Sequence, residues 1–230
     1  MVLEEPKVEI EFFEPVSMLR KIERACRTCY RSEDKITEDS YESLLKNCVN
    51  RGHESILEHE KITVRLRCDV GVYKDLTRHR LASYSIESTR YCDYSKDKFD
   101  NELHFIKPVY YTSNLQEVKD YNLTSIWRKT MECIEESYLS MKLEGAIPDD
   151  MRMILPHSLA ADVTMTANLR EWKHILELRC SKAVHPSVQQ VMISLLLEFK
   201  KLLPTVFGNI QYNRDFPKEK LLEVKMEESF

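Results

Sequence analysis

Residues 78–94 read RHRLASYSIESTRYCDY. Up to residue 90 this segment carries three arginines, one histidine, five hydroxyl side chains and one carboxylate. Guanidinium groups bind phosphate and carboxylate oxygens two hydrogen bonds at a time, so several arginines in one segment indicate an anionic partner. A solvated basic turn ranks second, because Leu81, Ala82 and Tyr84 place apolar groups among the charges. The segment is predicted to hold a phosphorylated, hydroxyl-bearing ligand.

Length and composition favour one soluble globular domain over residues 1–230. The 230 residues, 43% hydrophobic and 31% charged, suffice for one core and do not require two. The net charge of −4 argues against a general nucleic-acid binder, so we expect no DNA partner and a local anion site. No signal peptide or bilayer-spanning apolar run is found, so we expect a cytoplasmic protein with no membrane partner. Seven scattered cysteines favour reduced thiols over a disulfide framework.

Hydrophobic periodicity predicts both strands and helices. Strand-like alternation covers residues 7–13, 61–68, 103–106 and 159–167. Helical spacing covers residues 15–30, 37–52, 114–144, 168–179 and 187–203, and a further helix is expected to start at Pro148. Thr37 and Asp69 are expected to cap helices, the second of them short. The apolar stripe from Ile126 to Leu139 is expected to face the core or a partner.

Residues 52–59, GHESILEH, concentrate histidines and carboxylates. A metal site is one interpretation, but His53 and His59 do not have the one-turn spacing of the zinc-protease pattern. Hydrogen-bonded polar residues at an element boundary explain the segment better, so we predict no metal.

Asn168 follows a predicted strand and is a good N-cap for the helix after it. The N-terminus of a helix offers unpaired N–H groups and partial positive charge to a phosphate. Arg170 and His174 are four residues apart and therefore share one face of that helix. An ordinary surface Arg–His pair is the alternative, and the spacing alone does not decide between them.

The chain resembles the flavin-dependent thymidylate synthases in four segments between about residues 51 and 185. The family signature is Arg-His-Arg, seven residues and a serine, matched here by residues 78–80 and Ser88. The family's Gly-His-Glu-Ser/Thr segment is matched by residues 52–55, and its strand-Asn-x-Arg-helix segment by residues 168–179. The family also has an acidic residue and then an arginine just before a Leu-Pro pair. Asp149 and Arg152 match these two positions.

This resemblance implies reductive methylation of dUMP to dTMP, with methylenetetrahydrofolate as carbon donor and NADPH-reduced FAD as hydride carrier. It implies that FAD is bound by Ser55, Arg78, His79, Arg80, Asn168, Arg170 and His174. It implies that dUMP is bound by Asp75, Arg78, Glu87, Ser88, Thr89, Arg90, Arg152 and Arg179. Arg179 is expected to be catalytic, because a preorganised guanidinium can stabilise negative charge on the O4 and N3 side of the uracil ring.

The expected architecture is α+β, a single domain with an antiparallel sheet packed against long helices. The resemblance implies a homotetramer with sites at subunit interfaces. Thymidylate synthases without flavin use a cysteine thiolate next to a proline, and this chain has no Pro-Cys pair.

Two positions depart from the family pattern. The commonest motif has Asn-Glu where this chain has Ser85 and Ile86, and here the carboxylate comes one residue later, at Glu87. Either Glu87 or the backbone around Ile86 meets the nucleotide. A glutamine is usual where Asp75 stands.

Two other functions remain open from the residues alone. In a non-catalytic nucleotide- or RNA-binding module, the motif arginines would meet phosphates while Tyr84, Tyr91 and Tyr94 stack on bases. In a structural oligomer subunit, the arginines would form ion pairs between chains. Bound flavin would distinguish the enzyme from both.

Overall fold

A computed structural model of the chain describes residues 1–96, 98, 101–110 and 118–228, the side chains of 118–121 excepted. The strands in this part are β1 Val2–Glu4, β2 Lys7–Ile10, β3 Lys61–Asp69, β4 Ala82–Ile86, β5 His104–Ile106, β6 Ala160–Asn168 and β7 Val224–Met226. The helices are α1 Pro15–Thr28, α2 Ser40–Asn50, α3 Val70–Leu76, α4 Val118–Leu143, α5 Pro148–Met151, α6 Leu169–Arg179, α7 Pro186–Leu202 and α8 Pro204–Phe207.

The strands form a five-stranded sheet in the order β4-β6-β3-β2-β7 and a two-stranded sheet of β1 and β5. The main sheet is mostly antiparallel, although its strands β2 and β7 pair in parallel. The two-stranded sheet of β1 and β5 is parallel. The predicted α+β class is therefore confirmed.

Alternating burial explains why β3 forms where the sequence predicts it. Ile62, Val64, Leu66 and Cys68 are buried, and the residues between them are more exposed. One of the outward residues, Thr63, shares a 2.8 Å hydrogen bond between hydroxyl groups with Thr166 of β6.

Helix α6 begins directly after β6, as predicted. Asn168 is its N-cap, because its side-chain oxygen accepts a 2.8 Å hydrogen bond from the backbone N–H of Glu171. Trp172 is fully buried, and its indole N–H donates to the carbonyl of Ile62 at 3.0 Å. This bond fixes the rotation of α6 about its axis, with Arg170 and His174 exposed.

The short helix α3 and the end of α2 also follow the sequence prediction. The Asp69 carboxylate caps α3 by accepting from the N–H of Val72 at 2.9 Å. Gly52, just beyond α2, has φ +73, a left-handed conformation that glycine adopts without steric cost. The predicted cap at Thr37 is wrong, because α2 has Asp39 at the N-cap position and Thr37 instead donates its N–H to the Ser40 hydroxyl.

Three strands were not predicted: β1, β7 and β4, the last inside the Arg-His-Arg segment. The predicted stripe on α4 is confirmed at Met131 and Tyr138, which are buried, but Ile126 is 65% exposed. Residues 114–117 of the predicted helix lie outside the described part.

The chain divides into two compact units. The first comprises the described residues of 1–6, 66–75 and 85–163, and its core includes Tyr94, Phe105 and Tyr138. The second comprises those of 7–65, 76–84 and 164–230, with an aromatic cluster of Trp172, Phe199 and Phe207. The expectation of a single domain stays a prediction. Among the described helices, none is long and apolar enough to cross a membrane.

Candidate functional site

All seven residues expected to bind FAD belong to the second unit. Three of them, Asn168, Arg170 and His174, line one pocket of about 580 Å³ along α6. Leu81, which follows the Arg-His-Arg segment, is part of the same lining. The structure therefore brings together the N-terminal half of α6 and the residue next to the motif.

The remaining expected FAD residues lie at the ends of neighbouring elements. Arg78 and Arg80 are exposed on either side of His79, which is 6% exposed and whose ring lies 5.8 Å from that of His174. Ser55 is exposed in the 3-10 helix Glu54–His59. Ser55, Arg78 and Arg80 are not among the described residues that line the 580 Å³ pocket.

The buried His79 contacts the residue expected to be catalytic. The Nε of Arg179 donates to Nε2 of His79 at 3.0 Å, and Nδ1 of His79 lies 3.7 Å from a carboxylate oxygen of Glu171. The hydroxyl of Tyr84 lies 3.0 Å from the His79 carbonyl oxygen. Burial, together with the Glu171 carboxylate, raises the pKa of Tyr84 to about 12, so its hydroxyl stays neutral near pH 7.

Carboxylates accompany the cations of the pocket. Arg170 forms an ion pair with Glu58 at 2.5 Å, and Lys173 forms one with Glu54. The Arg170–Glu58 pair is about half exposed on both sides, whereas Lys173 is nearly buried. Both carboxylates lie in the GHESILEH segment, where the sequence predicts hydrogen-bonded polar residues; their pairing with Arg170 and Lys173 was not predicted.

This donor set fits the phosphates of FAD. The N-terminus of α6 supplies partial positive charge, and Arg170 supplies a guanidinium in the first turn of the helix. The N–H groups of Leu169 and Glu171 are already donated, to Glu60 and Asn168. Four carboxylates, those of Glu54, Glu58, Glu171 and Glu177, also line this pocket and oppose an anion in it. Glu58 pairs directly with Arg170, so the fit requires this ion pair to open.

The residues expected to bind dUMP are distributed over both units. Arg78 and Arg179 belong to the second unit, and the other six belong to the first. In the first unit, Ser88 and Thr89 are half-buried after β4, Arg152 is exposed after α5, and Asp75 lies in the last turn of α3.

The Glu87 carboxylate is held by hydrogen bonds within the protein. Its Oε1 accepts from the Tyr94 hydroxyl at 2.8 Å, and its Oε2 accepts from Arg67 and from the N–H of Asp162, both at 3.2 Å. These contacts anchor the start of the Glu87–Arg90 segment. The expected contact of Glu87 with the nucleotide stays a prediction.

Arg67 is the centre of this network and was not singled out from the sequence. It also pairs with Glu4 at 2.9 Å and with Asp162 at 3.3 Å. Burial alone would lower the pKa of Arg67, but the hydrogen bond and charge of Glu4, together with the charges of Asp162 and Glu87, outweigh it, and the pKa is raised. Its partners are far away in the sequence, so no local pattern indicates them.

Arg90 is held by the carboxylate of Asp149 rather than by the Arg67 network. Its guanidinium donates two hydrogen bonds to Asp149, at 2.9 and 3.3 Å, and lies 5.7 Å from the ring centre of Tyr91. The hydrogen bond from Arg90 lowers the pKa of Asp149, which is therefore ionised at neutral pH.

Metal ligands and thiols are two further groups that could carry chemistry. Within the described ranges, no group of three or more histidine, cysteine or acidic side chains is arranged to hold a metal ion. Burial raises the pKa of Cys92, the cysteine of the 78–94 segment, which disfavours its thiolate as a nucleophile.

Comparisons with known proteins agree with one another. A family model described as thymidylate synthase complementing protein matches residues 16–205. The chain is 32% identical over 171 residues to a flavin-dependent thymidylate synthase from Pyrococcus abyssi, covering 74% of this chain and 67% of that protein. It is 26% identical over 190 residues to one from Geobacter sulfurreducens, covering 80% and 78%.

A solved structure supports the fold. The crystal structure of a UMP/dUMP methylase, PolB from Streptomyces cacaoi bound with 5-Br dUMP, matches with a TM-score of 0.74 at 20% sequence identity. The match covers 94% of this chain and 100% of that chain. At this identity the likeness concerns the fold alone.

Proposed function

This chain belongs to the flavin-dependent thymidylate synthase family, and we propose that it converts dUMP to dTMP by reductive methylation. Methylenetetrahydrofolate is the proposed carbon donor, and NADPH the proposed source of reducing equivalents. The observation that carries the proposal is the family match over residues 16–205, which includes both the Arg-His-Arg segment and α6.

FAD is the proposed cofactor, and when bound it would supply the redox chemistry between NADPH and the methylene group. Asn168, Arg170 and His174 would hold it, because they line one pocket at the N-terminal half of α6. Ser55, Arg78, His79 and Arg80 are proposed as further cofactor contacts on the resemblance alone.

Arg179 would bind the uracil ring and stabilise negative charge on its O4 and N3 side. A guanidinium suits this role because it stays protonated and needs no proton transfer of its own. The contact with Nε2 of His79 supports the assignment, since it fixes the direction of the Arg179 side chain.

The phosphate and sugar of dUMP would be bound by arginines and hydroxyl groups, together with Asp75 and Glu87. The proposed phosphate and sugar contacts are Arg78, Ser88, Thr89, Arg90 and Arg152. Arg90 must exchange its bond with Asp149 for the phosphate, and both side chains are exposed enough to allow this.

Cysteine chemistry on the uracil ring is disfavoured. The raised pKa of Cys92 and the absence of a Pro-Cys pair in the sequence both argue against a thiolate nucleophile. This supports flavin-dependent methylation over the flavin-free reaction. The relatives' names give no support to the alternative of a nucleotide- or RNA-binding module.

Assembly and location are proposed on the resemblance and the sequence. We propose a homotetramer in which sites form at subunit interfaces, and a cytoplasmic protein. Sedimentation of the purified protein tests the tetramer.

The visible spectrum under anaerobic conditions tests the function. The purified protein is expected to retain or take up FAD, and NADPH is expected to bleach the flavin at a rate that dUMP alters. A protein that takes up no flavin would contradict the proposal. Tight, salt-dependent RNA binding in its place would favour the binding module.

A further inference from the structure

Two cysteines of the second unit lie against each other between helices α1 and α2. The Sγ atoms of Cys26 in α1 and Cys48 in α2 are 3.5 Å apart and share a weak S–H hydrogen bond. Both thiols are free, and Cys26 is 4% exposed whereas Cys48 is only half-buried. Neither cysteine has a part in the function proposed above, so the pair is a separate feature of the molecule.

The two sulfur atoms are close enough for a covalent bond to form after a small movement. A disulfide bond is about 2.05 Å long, so the sulfurs have to approach each other by about 1.5 Å. The bond would close a loop around residues 27–47, which include the 3-10 helix Glu33–Lys35 and the start of α2. A link across a loop of this length restricts the unfolded chain and so stabilises the folded one.

Cys48 lies where α2 leads into the GHESILEH segment. Its backbone carbonyl accepts a 2.9 Å hydrogen bond from the N–H of His53, and the N–H of Gly52 bonds to the carbonyl of Val49 at 3.0 Å. These two bonds, with Gly52 at φ +73, form a Schellman motif at the end of the helix. A bond at Cys48 would therefore link α1 to the helix end from which the segment starts.

We propose that Cys26 and Cys48 form a reversible disulfide when the protein meets hydrogen peroxide, and that this bond links α1 to α2 at the entry to the GHESILEH segment. The bond is a modification site that goes beyond the proposed thymidylate synthase activity and does not depend on it.

The oxidation has two steps. The thiolate sulfur of Cys48 attacks one peroxide oxygen, the O–O bond breaks, and the hydroxide that leaves takes up the proton lost from Cys48, which leaves a sulfenic acid. The sulfur of Cys26 then attacks the sulfur of Cys48, the S–O bond breaks, and the hydroxyl group departs as water with the proton of Cys26. Two thiols lose two electrons in total, and one hydrogen peroxide is reduced to two water molecules.

The surroundings of the two sulfurs favour this order. Burial, and after it the hydrogen bond with Cys48, raises the pKa of Cys26 above its usual range, so Cys26 keeps its proton. Cys48 is more exposed and is the sulfur that peroxide reaches first. Cys29 is exposed at the end of α1 and follows Cys26 by three residues, so it is the thiol that competes most directly for the same oxidant.

Peptide mapping of the full chain tests the bond. Wild-type protein is treated with hydrogen peroxide in its folded state, its remaining thiols are alkylated, and the digest is examined by mass spectrometry. We expect peptides joined through Cys26 and Cys48 that dithiothreitol separates. Cys29→Ser is the matched control, since it removes the neighbouring exposed thiol and should keep the link. Failure to find the link, or a bond from Cys26 to Cys29 in its place, would overturn the proposal.

Thermal unfolding tests whether the bond links the two helices. The peroxide-treated protein is expected to unfold about 5–10 °C above the same protein reduced with dithiothreitol. Cys48→Ser, given the same treatment, accounts for oxidised methionines and is expected to show no such rise. An unchanged midpoint in the wild-type protein, or an equal rise in Cys48→Ser, would overturn the proposal. A wild-type protein that makes no dTMP would contradict the proposed function and leave both of these tests unaffected.

Discussion

The two units of this protein use their charged side chains in different ways. In the first, Arg67 is 20% exposed and is surrounded by Glu4, Glu87 and Asp162. In the second, Arg170 is 52% exposed and pairs with the single carboxylate of Glu58. A half-buried cation with several partners is hard to separate from them, whereas an exposed pair costs little to open.

This difference separates structural charges from charges available to a ligand. The Arg67 network holds the backbone at the start of the Glu87–Arg90 segment, since Glu87 binds both Arg67 and the N–H of Asp162. The Arg170–Glu58 pair, like the exposed Arg90–Asp149 pair, is suited to exchange its carboxylate for a phosphate. The variants below test this division.

The largest effect is expected at Arg179, which is assigned to catalysis. Arg179→Ala is expected to lower kcat by about 100- to 1,000-fold while FAD stays bound, because only charge stabilisation is lost. Steady-state kinetics measure kcat, and the flavin spectrum measures whether FAD stays bound. Lys182→Ala, which removes an exposed cation paired with Asp215, serves as the control and should behave like wild type. A loss below tenfold would contradict the assignment.

Arg67 and Arg65 both lie on β3, so substituting each of them in turn compares a structural charge with a surface charge directly. Arg67→Ala leaves three carboxylates without their cation and is expected to lower the free energy of unfolding by about 3 kcal/mol. Arg65→Ala breaks exposed pairs with Glu11 and Glu227 and is expected to cost less than about 1 kcal/mol. Urea unfolding measures both. Equal losses would show that the Arg67 network is no more structural than a surface pair.

A pH dependence tests a second structural pair of the first unit. Burial alone would raise the pKa of Asp93, but hydrogen bonds from Lys142 at 2.7 Å and Ser95 at 2.6 Å outweigh it and lower the pKa. Because the folded pKa lies below the unfolded one, the stabilisation is present above the unfolded pKa and is lost as the pH falls through the folded pKa.

Asp93→Asn is therefore expected to cost about 1 kcal/mol near neutral pH and less below about pH 4. Urea unfolding at several pH values measures the difference. A gap between wild type and Asp93→Asn that stays constant on acidification would argue against a lowered pKa.

The smallest effect concerns the exposed pair at the pocket. Glu58→Gln is expected to tighten FAD binding about threefold, because the neutral amide no longer competes with the phosphates for Arg170. Flavin fluorescence titration measures the affinity, with Glu11→Gln as a control outside the pocket lining. Weaker FAD binding would mean that Glu58 positions Arg170 instead of competing for it.

The sequence predicted the second unit's α6 site better than the first unit's network. Asn168 and the shared face of Arg170 and His174 follow from local spacing, and the structure has the cap and the pocket lining in those positions. Helical periodicity is a property of neighbouring residues, so it can be recognised without the fold.

The remaining features depend on residues that are distant in the sequence. Strand β4 was missed because its residues are only half-buried on one face and its polar composition is typical of a loop. The Arg67 network joins residues 4, 67, 87 and 162, and only the fold brings them together. The pairing of Glu54 with Lys173 and of Glu58 with Arg170 was not predicted for the same reason.

The most direct test of the proposed function is a product assay with flavin removed and restored. Protein freed of FAD, supplied with dUMP, methylenetetrahydrofolate and NADPH, is predicted to form no dTMP until FAD is added, as followed by mass spectrometry of the nucleotide. Formation of dTMP that is independent of flavin, or none after the flavin is bound and reduced, would contradict the assignment as a flavin-dependent thymidylate synthase.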